Sequence, residues 1–179
     1  MQPGNGVSSL RLGRERPIGL ARAEAGGTMI TIGIRAAPKV ITFAIYNTDE
    51  NSILNVEEIK IPAAFETPAA LKYVRSNLLD VLREYKVERA GVRVTESVAN
   101  YPSIERIQIE GVIQEAFASS ELQSYYVGQI SSISKRLGID RKKFKPLVDG
   151  DEDPGVDNWK KMSKEEREAI LCAMGASNA

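Results

Sequence analysis

The sequence has no histidine and a single cysteine, Cys172. Without histidine there is no Ser-His-Asp triad, no Cys-His nucleophile pair and no imidazole-bound zinc. A lone cysteine closes no disulfide within the chain, which suits a reducing, cytoplasmic setting. Any metal must then be held by oxygen, which selects magnesium, manganese or calcium. Charge of one sign is also missing: 24 Lys and Arg balance 24 Asp and Glu. The chain as a whole therefore carries no electrostatic footprint for nucleic acid, and any such footprint must be local. No apolar run approaches the length of a membrane span. No glycine-rich phosphate loop is present, since Gly26-Gly27 lacks the spacing.

What is there is enough sequence, 179 residues, for one ordinary domain with a sizeable core. Residues 1–28 stand apart. They hold Gly4, Gly6, Gly13, Gly19, Gly26 and Gly27, two prolines and scattered arginines, with no apolar period. This composition predicts a disordered N-terminal extension without the apolar core of a secretory signal. Met29 stands just before the first strand, so the folded domain is expected over 29–179.

The domain opens with three predicted strands: Ile30 to Ala37, then Val40 to Tyr46 after a Pro38-Lys39 turn, then Ile53 to Ile61. Thr67 to Tyr85 reads as a helix, with Thr67 as its cap, Pro68 in its first turn and a stripe of Leu71, Val74, Leu78, Leu79, Leu82 and Tyr85. A fourth strand, Arg89 to Thr95, ends on the carboxylate Glu96. After a loop with Asn100 and Pro102, Ile104, Ile107, Ile109, Val112, Ile113 and Ala116 recur at roughly helical spacing. Gln123 to Val127 is a fifth strand and a short helix with Ile130 and Ile133 follows. Charged sequence comes next, then a last helix, Ser163 to Met174, opened by a capping box of Ser163 and Glu166. The order predicts an α/β fold: a mixed five-stranded sheet, a three-strand antiparallel meander plus two parallel strands, with helices on both faces.

Glu96 carries the first functional expectation. It stands where a buried strand stops and a helix is about to start, and open α/β sheets bind ligands outside the carboxyl ends of their strands.

The element order, Glu96 at a strand end, Ile109-Glu110-Gly111-Val112-Ile113 in the helix behind it and Gly128 to Lys135 after the fifth strand together resemble the RNase H-like superfamily, and within it the RuvC-type Holliday-junction resolvases. Glu165 and Glu168, at i and i+3 before Ala169-Ile170-Leu171, are similar to the family's pair of acids in the last helix. The resemblance implies a metal-dependent endonuclease with magnesium or manganese held by Glu96, Glu165 and Glu168. In such a site the ions lie roughly 4 Å apart, activate a water and stabilise the leaving oxygen. It also implies that the family's essential first-strand aspartate is replaced here by Arg35. A guanidinium stays charged and binds no cation. Arg35 is therefore expected to form ion pairs with Glu96, Glu165 or Glu168 in a degenerate site without a cofactor. On that expectation the protein is a nucleic-acid-binding or scaffolding subunit, partnered by DNA, RNA or other subunits of an assembly, and homodimeric as in the resolvases. Two alternatives stay open: an active magnesium- or manganese-dependent endonuclease using the three glutamates, and a purely structural protein–protein interaction domain.

Lys135, Arg136, Arg141, Lys142, Lys143 and Lys145 form a dense basic run, the expected grip on phosphates. The acids Asp149, Asp151, Glu152, Asp153 and Asp157 follow and could neutralise it. The acidic stretch is expected to be a flexible loop, because Pro154 and Lys160 stand where a calcium loop needs glycine and glutamate. Tyr125 and Tyr126 must point to opposite faces of their strand, one of them into the core. Trp159 is read either as an exposed anchor or as folded back on the body. Cys172 is expected to be a small buried hydrophobe.

Overall fold

The computed structural model describes residues 10–11 and 28–179. The extension expected over 1–28 thus lies outside the described residues, apart from Leu10, Arg11 and Thr28. The strands are β1 (Leu10–Arg11), β2 (Ile30–Ala37), β3 (Val40–Asn47), β4 (Ser52–Lys60), β5 (Arg89–Arg93) and β6 (Ser124–Gly128). They form one sheet in the order β1-β4-β3-β2-β5-β6. Strands β2, β3 and β4 make the antiparallel meander, while β5 pairs in parallel with both β2 and β6. The five long strands are those expected from the sequence, and the two-residue β1 adds an antiparallel edge beside β4.

Both faces of the sheet are covered, which is why the central strands read as near-continuous apolar runs. Alternation assigns each residue to a face. Ile32, Ile34 and Ala36, with Ile41, Phe43, Ile45, Ala90 and Val92, pack against helices α1 (Thr67–Glu84) and α2 (Ile104–Ala118). The opposite face receives α5 (Lys164–Ala176), and on β2 it carries the small and polar Thr31, Gly33 and Arg35. The Thr31 hydroxyl donates to the Ala173 carbonyl at 2.7 Å. A Cβ on Gly33 would come within 2.0 Å of the Ala169 carbonyl oxygen and 2.1 Å of the Ala173 nitrogen. Helix α5 therefore lies directly on the backbone of β2. Helices α3 (Ile130–Leu137) and α4 (Arg141–Asp149) pack outside it, and Ala169 to Ala176 are nearly all buried. The Ser163–Glu166 capping box is formed as expected.

Several local expectations are corrected. Glu66, not Thr67, is the residue that caps α1, with no side-chain hydrogen bond; Thr67 is already helical. In α2 the isoleucines do not share one buried face. Ile109, Ile113, Ala116 and Phe117 are buried, but Ile104 and Ile107 are 70% and 46% exposed, and the buried polar residue is Glu110. The charged sequence after α3 holds a helix, α4, with Pro146 inside it, and a 3-10 turn over Trp159–Lys161. Trp159 is folded back and 1% exposed, its indole N–H donating to the Leu147 carbonyl at 3.0 Å. Arg167, also buried, donates to the carbonyls of Val148, Trp159 and Lys160 at 2.8, 2.9 and 3.0 Å, tying this segment to α5. Tyr126 is the core tyrosine of its pair and Tyr125 is exposed; Cys172 is buried.

Candidate functional site at the carboxyl ends of the central strands

Strands β2 and β5 run side by side with the same short pattern, Gly33-Ile34-Arg35 and Gly91-Val92-Arg93; β5 ends on its arginine and β2 two residues beyond. The parallel register sets Gly33 opposite Gly91 and Arg35 opposite Arg93. The glycines let α5 and the Tyr126 ring approach the sheet. One residue pair later, both arginine side chains emerge on the α5 side at the strand ends.

Each arginine meets a glutamate. The Arg35 guanidinium is ion-paired with Glu168 of α5, and both side chains are largely buried. Arg93 reaches Glu96 at 3.1 Å. The Glu96 carboxylate also accepts the first backbone N–H of α3, from Ile130, at 2.9 Å, where the helix favours negative charge. A third pair closes the group: Arg106 of α2 lies 2.6 Å from Glu110. Glu110 accepts the Thr95 backbone N–H at 2.9 Å and its hydroxyl at 3.0 Å. It thereby fixes the residue just before Glu96. The three guanidinia feel one another. Burial first, then the repulsion of Arg35 and, more weakly, Arg93 lower the Arg106 pKa, against the pull of Glu110. The Cys172 thiol behind them is pushed up to about 12 by burial and by Glu168, against the two arginines and Tyr126.

The sequence-expected residues are therefore only partly gathered. Arg35 pairs with Glu168. Glu96 is engaged by Arg93, and Glu165 is exposed in the first turn of α5. Among the described residues no group of three or more acidic or thiol side chains is arranged to hold a metal ion. The donors present do not suit magnesium or manganese, because the carboxylates at the strand ends already face guanidinia. Arg93, Arg106 and Glu110 were not foreseen in this site. The Gly-x-Arg pattern repeated in two strands is the sequence signal that points to Arg93.

No protein-family model and no curated protein sequence matches the chain. Solved structures do. RuvC of Thermus thermophilus in complex with a Holliday junction substrate aligns over 84% of this chain and 93% of that one, with 16% identity and a TM-score of 0.63. RuvC of the same organism in a second structure aligns over 84% and 94%, with 13% identity and a TM-score of 0.63. The yeast mitochondrial Holliday junction resolvase Ydc2 aligns over 84% and 80%, with 11% identity and a TM-score of 0.54. The chain has the RNase H-like fold of the RuvC-type resolvases.

On this RuvC-like fold the basic run is divided. Arg136 lies over the Tyr126 ring at 4.4 Å and donates to the Asn178 carbonyl at 2.6 Å. Lys145 pairs with Asp149, which also takes Lys164 at 2.6 Å; these two lysines pull the Asp149 carboxyl down to about 2. Lys135, Arg141, Lys142 and Lys143 are exposed and make no ion pair among the described residues. Among the described residues the acids Asp151, Glu152, Asp153 and Asp157 form no ion pair with them. The loop from Glu96 to α2 carries Val98 and Tyr101, which are 79% and 97% exposed. No helix among the described residues is long and apolar enough to cross a membrane.

Proposed function

We propose that this RuvC-like protein binds nucleic acid beside its sheet end without metal-dependent cleavage, and acts as a binding or scaffolding subunit. The observation that carries the reading is the pairing of Glu168 with Arg35 and of Glu96 with Arg93. Two fixed guanidinia stand among the carboxylates where a nuclease of this fold would place its cations. They repel magnesium and manganese and, ion-paired and largely buried, occupy the carboxylates that would hold a cation. The neighbouring Tyr101 is an exposed ring on which an unpaired base can stack. Lys135, Arg141, Lys142 and Lys143 supply phosphate contacts. The outward face of α2, with Ile104 and Ile107, is the surface through which two copies pair.

The test is binding and cleavage on labelled four-way junctions, DNA duplexes, RNA–DNA hybrids and single strands, with magnesium, manganese or a chelator. Binding of a branched or single-stranded substrate that survives the chelator, with no product in either metal, is the expected result. Metal-dependent cutting that disappears in Glu96→Ala would overturn it and establish a resolvase-like endonuclease. Absence of both binding and cutting would leave a protein–protein interaction domain.

A further inference from the structure

Helix α3 stops on a Schellman-type end. Gly138 adopts the left-handed conformation at φ 68°, and the Ile139 N–H reaches back to the Ser134 carbonyl at 3.0 Å. Only Gly138, Ile139 and Asp140 separate α3 from α4. The Asp140 side chain caps α4 by accepting the Lys142 N–H at 2.8 Å. Ile133 and Leu137 of α3, with Phe144, Leu147 and Val148 of α4, are buried in one core cluster, and Ile139 in the turn packs against it. The underside is thus fixed and the upper side of α4 is free. Two short helices joined by a three-residue turn that contains glycine share the connection of a helix-turn-helix, the motif whose second helix enters the DNA major groove.

The charge on α4 is what its fold alone does not explain. Arg141, Lys142 and Lys143 occupy the first turn, where cations oppose the helix dipole and one another. The same segment is rich in acids, yet among the described residues Arg141, Lys142 and Lys143 have no ion pair. A polyanion outside the chain relieves that repulsion. We infer that α3 and α4 form a helix-turn-helix unit that docks α4 into the major groove of B-form duplex DNA, with Arg141, Lys142 and Lys143 at the base edges and phosphates. Duplex RNA is a poor alternative, because its deep, narrow major groove does not admit such a helix. The inference rests on the nucleic-acid reading only for the class of ligand. It gives Arg141, Lys142 and Lys143, three of that reading's phosphate contacts, a duplex site of their own on α4.

The experiment measures fluorescence anisotropy of the full chain on a DNA duplex, on an RNA duplex of the same sequence and on the four-way junction, over a range of salt. The variants are Arg141→Gln/Lys142→Gln/Lys143→Gln and the single Lys142→Gln, each checked for folding by circular dichroism. All three side chains are exposed, so folding should be retained. The wild type should prefer DNA duplex to RNA duplex. The triple variant should bind the DNA duplex at least about tenfold more weakly, and the slope of log K against log salt should fall by about 2 to 3 if each lost cation had neutralised one phosphate. Lys142→Gln should lie between. No duplex binding by the wild type, equal binding of RNA duplex, or unchanged binding by the triple variant would each overturn the inference. Junction binding that persists through any of these leaves the strand-end reading standing. Loss of junction binding with duplex binding intact overturns that reading alone.

Discussion

Arg35 and Glu168 are each more than four-fifths buried as side chains, so neither is free to exchange its partner for water. Truncating one of a buried pair leaves the other charge uncompensated, which costs more than the pair contributes when intact. Arg35→Ala is expected to destabilise the fold by about 2 to 3 kcal/mol, and the double Arg35→Met/Glu168→Met to cost less than that single change. Denaturant unfolding of both variants checks this. A double variant less stable than Arg35→Ala would mean that the pair itself holds α5 to the sheet. Arg35 was legible in the sequence because it stands where a RuvC-type strand carries an acid. Glu168 was one of three glutamates open to it, and the choice among them was not legible, since Glu165 is left exposed and Glu96 is taken by Arg93. That residue is remote from Arg35 in sequence and becomes its neighbour only through parallel pairing.

At the scale of elements, α5 governs the packing. It contacts β2, β3 and β5 together, and it comes close because Gly33 has no side chain. All three atoms nearest a Cβ at that position are backbone atoms of α5, which cannot swing aside. Gly33→Ala should therefore lift the helix or fail to fold, with a loss on the order of 3 kcal/mol or more. Thermal melts of Gly33→Ala beside the wild type check this. The strands, α1 and α5 were legible because apolar period and capping residues are local signals. Helix α4 was not, because five of its nine residues are charged and Pro146 interrupts it. Its helicity comes from Asp140 at one end and from Phe144, Leu147 and Val148 packing beneath, and that packing is tertiary. Trp159 was undecidable for the same reason: polar neighbours in sequence hide an acceptor, the Leu147 carbonyl, that only the fold supplies.

At the scale of the whole molecule, one surface is left without an explanation inside the chain. Ile104 and Ile107 stand out from α2, and Tyr101 is almost wholly exposed in the loop before it. Gly111 follows on the same exposed side of the helix, where an alanine would meet nothing and would favour the helix by about 1 kcal/mol. On the proposed pairing of two copies, a close approach from outside would account for a glycine there. A second copy crossing antiparallel at Gly111 would set Ile104 opposite Ala118 and Ile107 opposite Glu115 across the two-fold axis. This arrangement makes a prediction whose sign is unusual. In a monomer Gly111→Ala should raise stability; across a close helix crossing it should instead weaken association. Sedimentation equilibrium should give the wild type a mass twice the 19.6 kDa of one chain. Gly111→Ala should shift the midpoint of dissociation to higher protein concentration, and Ile104→Glu should yield monomer with unchanged circular dichroism. A wild type that stays monomeric while Gly111→Ala melts at higher temperature would remove the dimer, and with it the reason for glycine at this position.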